Sequence, residues 1–178
     1  MKGIFWKEGE SFSNSMSLIA FLLVRYPEIG SVRFDPEQKT LLFSFVLVKS
    51  LTNEEFEPFK DHLLLSLNNM TLLQERESGI IEINHAEYDG LTFLEIIRDI
   101  ETLSQEEIAL ITGVIHQFFE EYLMLDQEDT LQEEDTVLQE EMIEHMLEDL
   151  KDSRQEKRLI GFREEGRVLV FNRANLHK

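Results

Sequence analysis

Residues 31–48, SVRFDPEQKTLLFSFVLV, contain two strand-like runs separated by a turn sequence. Asp35 and Pro36 fit the first two positions of a type I turn, because proline presets φ and the aspartate carboxylate accepts a local backbone hydrogen bond. Ser31–Phe34 and Thr40–Val48 are therefore predicted to pair as an antiparallel hairpin. The second run is apolar at nearly every position, which is typical of a central strand covered, or nearly covered, on both faces.

Further hairpins are predicted later in the chain. They are Ile80–Tyr88 with Leu91–Asp99 around Asp89 and Gly90, and Arg158–Arg163 with Arg167–Asn172 around Glu164, Glu165 and Gly166. Glycine favours both turns because it adopts positive φ without steric cost. The first turn is predicted to have two residues and the second three. Residues 1–10 are predicted to be irregular or to form a short edge strand at residues 3–6.

Helical patterns separate these hairpins. Four helices are predicted: from Ser11–Ser15, which supplies the cap, to about Tyr26, from Thr52 to about Met70, from Ser104 to about Leu125, and from about Leu131 to Asp152. Ser104 and Glu107 have the spacing of a capping box, in which each side chain satisfies a backbone amide at the helix start. The chain is predicted to be a single α+β domain over residues 1–178. An antiparallel or mixed sheet of three hairpins packs against helices, with two long acidic helices before the last hairpin.

The charge distribution is uneven. The chain has 36 acidic and 17 basic residues and a formal net charge of -19, and no Lys or Arg occurs between Arg98 and Lys151. Residues 104–153 form an acidic helical segment, whereas residues 151–178 contain eight basic side chains and four acids. A net charge of this size repels polyanions such as nucleic acid.

The last predicted helix is the principal candidate for partner binding. Its candidate residues are Glu140, Glu141, Met142, Glu144, His145, Met146 and Glu148. Methionine side chains adapt to irregular surfaces, and acidic groups around them steer basic partners. The alternative is that the apolar stripe of this helix covers the sheet or the preceding helix. Pairing of this helix between subunits would give a homodimer.

An enzyme that uses carboxylates and histidines, with or without a divalent metal, is the second hypothesis. His116 and Glu120, like Glu141 and His145, have i, i+4 spacing, so two antiparallel helices would bring these pairs together. The acids more naturally occupy solvated helix faces, however, so neither a metal site nor a cofactor is predicted. The chain lacks cysteine, a G-x-S-x-G motif and a phosphate-binding glycine loop.

A nucleic-acid-associated factor is the third hypothesis. Arg163, Arg167 and Arg173 lie in or just after the last hairpin, among Phe162 and Phe171, a combination suited to a strand-borne binding face. The alternative is that these arginines neutralise the acidic helices of the same molecule. The protein-wide negative charge disfavours this hypothesis.

The apolar run MSLIAFLLV, residues 16–24, follows two acidic residues and is too short to span a bilayer. It is predicted to be a buried helix, and no membrane association is expected. The absence of cysteine is compatible with a reducing compartment. These features together predict a non-enzymatic cytoplasmic protein that regulates or assembles other proteins through protein contacts. Its acidic helical segment would dock the partner, and its charge favours a basic one.

Overall fold

The computed structural model describes residues 4–6, 14–77, 79–125, 133–152 and 157–172. Within these ranges the chain forms four α-helices and one seven-stranded sheet. In chain order the elements are β1 Ile4–Trp6, α1 Asn14–Arg25, β2 Ile29–Asp35, β3 Thr40–Leu47, α2 Asn53–Leu73, β4 Ile81–Tyr88, β5 Leu91–Asp99, α3 Gln105–Phe119, α4 Glu133–Asp152, β6 Leu159–Glu164 and β7 Arg167–Asn172.

The sheet is mixed. Its strand order is β1-β7-β6-β2-β3-β5-β4, and every neighbouring pair is antiparallel except β1 with β7. Each predicted hairpin is present, and β1 is the short edge strand. The α+β class, with an antiparallel or mixed sheet, packed helices and two acidic helices before the last hairpin, is therefore confirmed.

The turns have the geometry that their residues favour. Asp35 Oδ1 accepts hydrogen bonds from the backbone N–H groups of Glu37 and Gln38, at 2.9 and 3.2 Å. Asp89 and Gly90 both have positive φ, 52° and 78°, as a two-residue type I′ turn requires. The last turn, Glu165 and Gly166, has the same geometry (φ 51° and 76°), so its loop is one residue shorter than predicted.

The helices pack on one face of the sheet. Ile19 and Leu23 of α1 lie directly over Gly161 of β6, where a Cβ atom would overlap them. The ring of Phe56 on α2 contacts that of His85 on β4, with centroids 4.1 Å apart. These contacts place a helix layer over the alternate strand residues that are buried.

The other face of the sheet carries no described helix. Along β3, Leu41, Phe43, Phe45 and Leu47 are buried beneath the helices, whereas Leu42 and Val46 on the opposite face remain half-buried. Ser44 on that opposite face is buried as well, so the side chains of β3 are buried or half-buried on both faces although described helices cover only one. The strand is central, but the helix layer covers one side only.

The helix α3 ends earlier than predicted. A 3-10 turn, Glu120–Tyr122, follows it, and the next residues run beside the end of β3. The N–H of Met124 donates to the carbonyl of Val46, and the N–H of Val48 donates to the carbonyl of Tyr122. Pairing with β3 thus replaces the last helical turns.

The capping boxes differ between helices. At Thr52 the box is complete, since the Glu55 carboxylate accepts from the Thr52 N–H while the Thr52 hydroxyl accepts from the Glu55 N–H. At α3 the Ser104 hydroxyl accepts from the Glu107 N–H, but the Glu107 side chain is used elsewhere. Half of the predicted box is therefore present.

Glu107 belongs to a buried ionic network. Its Oε2 accepts from Nε and Nη2 of Arg98 at 2.9 and 2.6 Å, and both side chains are almost fully buried. Arg98 also donates to Asp99 Oδ1 at 2.7 Å and to the carbonyl of Ile80. Asp99 accepts in addition from the Thr102 hydroxyl at 2.7 Å. The network ties the ends of β4 and β5 to the start of α3.

This network makes the free energy of unfolding depend on pH. Burial raises the pKa of Asp99, but hydrogen bonds from Thr102 and the charge of Arg98 outweigh that effect and lower it below its usual value. An acid whose pKa is lowered by folding stabilises the fold above its unfolded pKa, and the contribution disappears as pH falls through the folded value. We expect stability below about pH 4 to fall less steeply in Asp99→Asn than in the unmodified protein.

Urea unfolding followed by circular dichroism at a series of acidic pH values measures this difference. The exposed Asp61→Asn on α2 is the control and is expected to keep the original slope. Equal slopes for Asp99→Asn and the unmodified protein would contradict the prediction.

Candidate interaction surface

The face of the sheet that no described helix covers carries apolar side chains that the sequence analysis did not assign to a site. We call it the open face. Its apolar side chains are half-buried and come two each from β3, β5, β6 and β7: Leu42, Val46, Phe93, Ile97, Ile160, Phe162, Leu169 and Phe171. The rings of Phe162 and Phe171 stack, with centroids 5.7 Å apart. Antiparallel sheets that face water normally present polar side chains on that side, so this pattern is typical of a contact surface.

Charged side chains of both signs lie among these apolar groups. The basic residues are Arg33 on β2, Arg158 just before β6 and Arg167 on β7. The acidic residues are Asp35 on β2, Glu82 on β4, Glu95 on β5 and Glu164 on β6. Within the described ranges, the side chains of Arg33, Glu82 and Glu95 form no hydrogen bond or ion pair, and Arg33 Nε is buried without an acceptor. Arg158 donates to Glu37 at 3.1 Å. The charges of this face nearly cancel, in contrast to the rest of the protein.

A cleft of about 280 Å³ opens at one end of the open face. Two cations and two carboxylates line it, Arg33 and Arg158 with Asp35 and Glu82, and its apolar lining includes Leu42 and Ile97. A mixed lining of this kind suits a side chain of a partner more than an isolated ion.

The outer side of α4 is the second exposed surface. Val137 and Leu138 are 52% and 57% exposed at its N-terminal end. Glu141, His145 and Asp149 follow at one-turn intervals and are also exposed, and His145 Nε2 lies 3.5 Å from Asp149 Oδ2. We call these residues, together with Glu148, the α4 ridge. Glu148 is exposed and pairs with Lys151 at 2.9 Å, which lowers its pKa.

Other predicted docking residues of α4 face the molecule itself. Glu140 Oε2 accepts from Arg25 of α1 at 2.5 Å. Glu144 Oε2 accepts from the Gln105 N–H at 2.8 Å, which places a carboxylate at the positive end of α3. Met142 and Met146 are half-buried, and Met146 packs against the core. Glu140, Glu144 and Met146 thus attach α4 to its neighbours.

The weak metal candidates do not converge. His116 Nε2 lies 2.6 Å from Glu28 Oε2, and its Nδ1 lies 3.9 Å from Glu120. Glu141 and His145 are exposed on α4. Among the described residues, no group of three or more His, Asp and Glu side chains is close enough to hold a metal ion.

The predicted nucleic-acid residues are divided between the two faces. Arg163 turns towards the helices and donates to the carbonyls of Leu23, Tyr26, Pro27 and Ile29, at the C-terminal end of α1. Arg167 belongs by strand alternation to the open face. Arg173 lies outside the described residues. The described pair therefore forms no common basic surface.

The open face was missed for a physical reason. Sequence alternation indicated that β3 was apolar on both sides, and a cover on both sides was the natural reading. Which side lacked helices depended on the strand order, which brings β6 beside β2 across more than a hundred residues. The signal present in the sequence was the phenylalanine pair Phe162 and Phe171, which was assigned to nucleic acid instead.

None of the helices in the described ranges combines the length and apolar composition needed to cross a bilayer. Comparisons with protein-family models, with curated proteins and with solved structures found no match for this chain.

Proposed function

We propose that this chain is a non-enzymatic cytoplasmic protein that regulates or assembles other proteins, and that the α4 ridge docks a basic protein partner. One observation carries the proposal. The ridge places two exposed apolar side chains, Val137 and Leu138, in line with the exposed acids Glu141 and Asp149. An amphipathic basic segment can bury its apolar side chains on the first pair and place its cations against the acids.

The seating of α4 supports this role. Ile143, Leu147 and Leu150 are buried on the inner side of the helix. Glu140 accepts a hydrogen bond from α1, and Glu144 accepts one from the start of α3. The ridge is therefore presented by a fixed helix. A fixed surface loses little conformational entropy when a partner binds.

Charge neutralisation tests the ridge. The triple variant Glu141→Gln/Glu148→Gln/Asp149→Asn is expected to abolish capture of the partner from nuclease-treated lysate of the source cells. The variant lacks the carboxylates that would attract a basic partner and pair with its cations. Binding to the unmodified protein is expected to weaken with salt. Glu140 and Glu144 are left unchanged because they hold α4 in place.

The matched control carries the same loss of charge on α2. Glu54→Gln, Glu57→Gln and Asp61→Asn neutralise exposed acids there and are expected to leave capture intact. If both triple variants recover the same proteins, the ridge is not the docking surface. Proteins recovered from untreated lysate but not from nuclease-treated lysate would favour a nucleic-acid-associated factor instead.

A further inference from the structure

We propose that the cleft at the end of the open face binds a small elongated zwitterion. The carboxylate of the ligand lies on Arg33, its ammonium group lies on Glu82, and its apolar chain covers the side chains between them. The site is independent of the α4 ridge, because α4 packs against α1 in the helix layer.

The strand registers place the parts of this site in one row. Arg33 of β2 pairs with Leu42 of β3. Leu42 pairs in turn with Ile97 of β5, which pairs with Glu82 of β4. All four residues line the cleft. The row therefore has a cation at one end, a carboxylate at the other and two apolar side chains between them.

The two charged ends of the row do not pair with each other. They belong to strands that are three positions apart in the sheet, and at about 4.8 Å for each position their backbones are separated by about 14 Å. Among the described residues, neither Arg33 nor Glu82 has a side-chain hydrogen bond or an ion pair. Both charges are therefore available to a ligand that spans the row.

Arg33 provides the main evidence for a ligand. Its Nε atom is buried and has no acceptor within the part of the chain that the structure describes. Buried polar groups of proteins are nearly always hydrogen-bonded, so an unmatched donor of a charged group indicates a missing acceptor. A carboxylate fits this position because its two oxygens accept from two nitrogens of one guanidinium at once.

The remaining charges of the cleft compensate each other. Arg158 donates to Glu37 at 3.1 Å, and its Nη2 lies 3.9 Å from Asp35 Oδ1. A simple anion in the cleft would be repelled by Glu82, and a simple cation would be repelled by Arg33. A zwitterion matches both ends, and its apolar chain removes the two central side chains of the row from water.

Amino acids with the ammonium group at the far end of the chain test the proposal. The probe is ε-aminohexanoate, and hexanoate and hexylamine each lack one of its two charges. Isothermal titration calorimetry is expected to show that the unmodified protein binds ε-aminohexanoate more tightly than it binds either of the other two compounds.

Substitutions assign each charge of the probe to its residue. Arg33→Met is expected to weaken binding of both ε-aminohexanoate and hexanoate about tenfold or more, because a charge-assisted hydrogen bond is lost. Glu82→Gln is expected to weaken binding of ε-aminohexanoate about threefold, since Glu82 is exposed. The same variant is expected to bind hexanoate as tightly as the unmodified protein does, or more tightly.

Controls separate this inference from misfolding and from the proposed function. Lys157→Met removes an exposed cation that does not line the cleft and is expected to leave probe binding unchanged. Urea midpoints show whether each variant is folded, and Arg33→Gln replaces Arg33→Met if the latter is not. The ridge variant Glu141→Gln/Glu148→Gln/Asp149→Asn is expected to bind the probe normally, whether or not it captures a partner.

Several outcomes overturn the proposal. They are no binding of ε-aminohexanoate at millimolar concentrations, equal affinities for ε-aminohexanoate and hexanoate, and binding that the Arg33 substitution leaves unchanged. If the probe does not bind and the Arg33 variant fails to capture a protein that the unmodified chain captures, the cleft belongs to that protein and the proposal is likewise overturned.

Discussion

Replacing Arg98 by methionine is expected to lower the free energy of unfolding by about 3–5 kcal/mol. Arg98 is 1% exposed, and its guanidinium is the ionic partner of Glu107, which is 2% exposed. Removing the cation leaves the Glu107 carboxyl buried without a charge partner. Burial already raises the pKa of this carboxyl against the opposing effect of Arg98, so the variant is expected to take up a proton there.

Urea unfolding measures the loss, and a second substitution identifies its cause. Arg98→Met/Glu107→Leu is expected to regain much of the lost stability, because the buried Glu107 carboxyl is replaced by an apolar side chain, while Asp99 keeps its hydrogen bonds from Thr102. Lys157→Met removes an exposed cation and is expected to change stability by no more than about 0.5 kcal/mol. If the double variant is less stable than the single one, the unpaired charge is not the cause.

Phe59→Ala is expected to lower the free energy of unfolding by a similar amount, about 3–5 kcal/mol. Phe59 of α2 is fully buried, and its ring lies 5.7 Å from that of Phe118 and 5.1 Å from that of Phe119. The substitution removes the ring contacts of Phe59 with α3 and leaves a cavity between the two helices. The protein loses the free energy gained by burying the ring, and the unfilled cavity adds to this loss.

Leu65→Ala on the same helix is the matched control. Leu65 is 60% exposed, so truncation leaves no cavity and is expected to change stability by about 0.5 kcal/mol or less. The two variants are compared by urea unfolding under one set of conditions. Similar losses for the two would show that the position on α2, rather than burial against α3, determines the effect.

Local chemistry made much of this fold predictable. The turn residues made two hairpins predictable. Pro36 presets φ and Asp35 accepts local backbone hydrogen bonds, while Gly90 adopts the positive φ that the Asp89–Gly90 turn requires. The helix starts at Thr52 and Ser104 followed from side chains that satisfy free amides. Each of these features depends on residues within a few positions of one another.

Long-range choices were not predictable in the same way. Glu107 has the spacing of a capping residue, yet its carboxylate pairs with Arg98, which lies on another element. Arg163 was grouped with Arg167 because both are basic and close in sequence, but strand alternation and the end of α1 separate them. On α4, the inward roles of Glu140 and Glu144 depended on where α1 and α3 lay.

The position of β2 has a consequence during synthesis. One edge of β2 pairs with β3, the next strand in the chain, but the other pairs with β6, whose residues 159–164 are among the last to be synthesised. Until they emerge from the ribosome, residues 29–35 present an open strand edge that other chains can pair with. We expect fragments that stop before residue 159 to aggregate through this edge. In the nascent chain, the acidic stretch between β5 and β6 is expected to limit such aggregation by charge repulsion until β6 is synthesised.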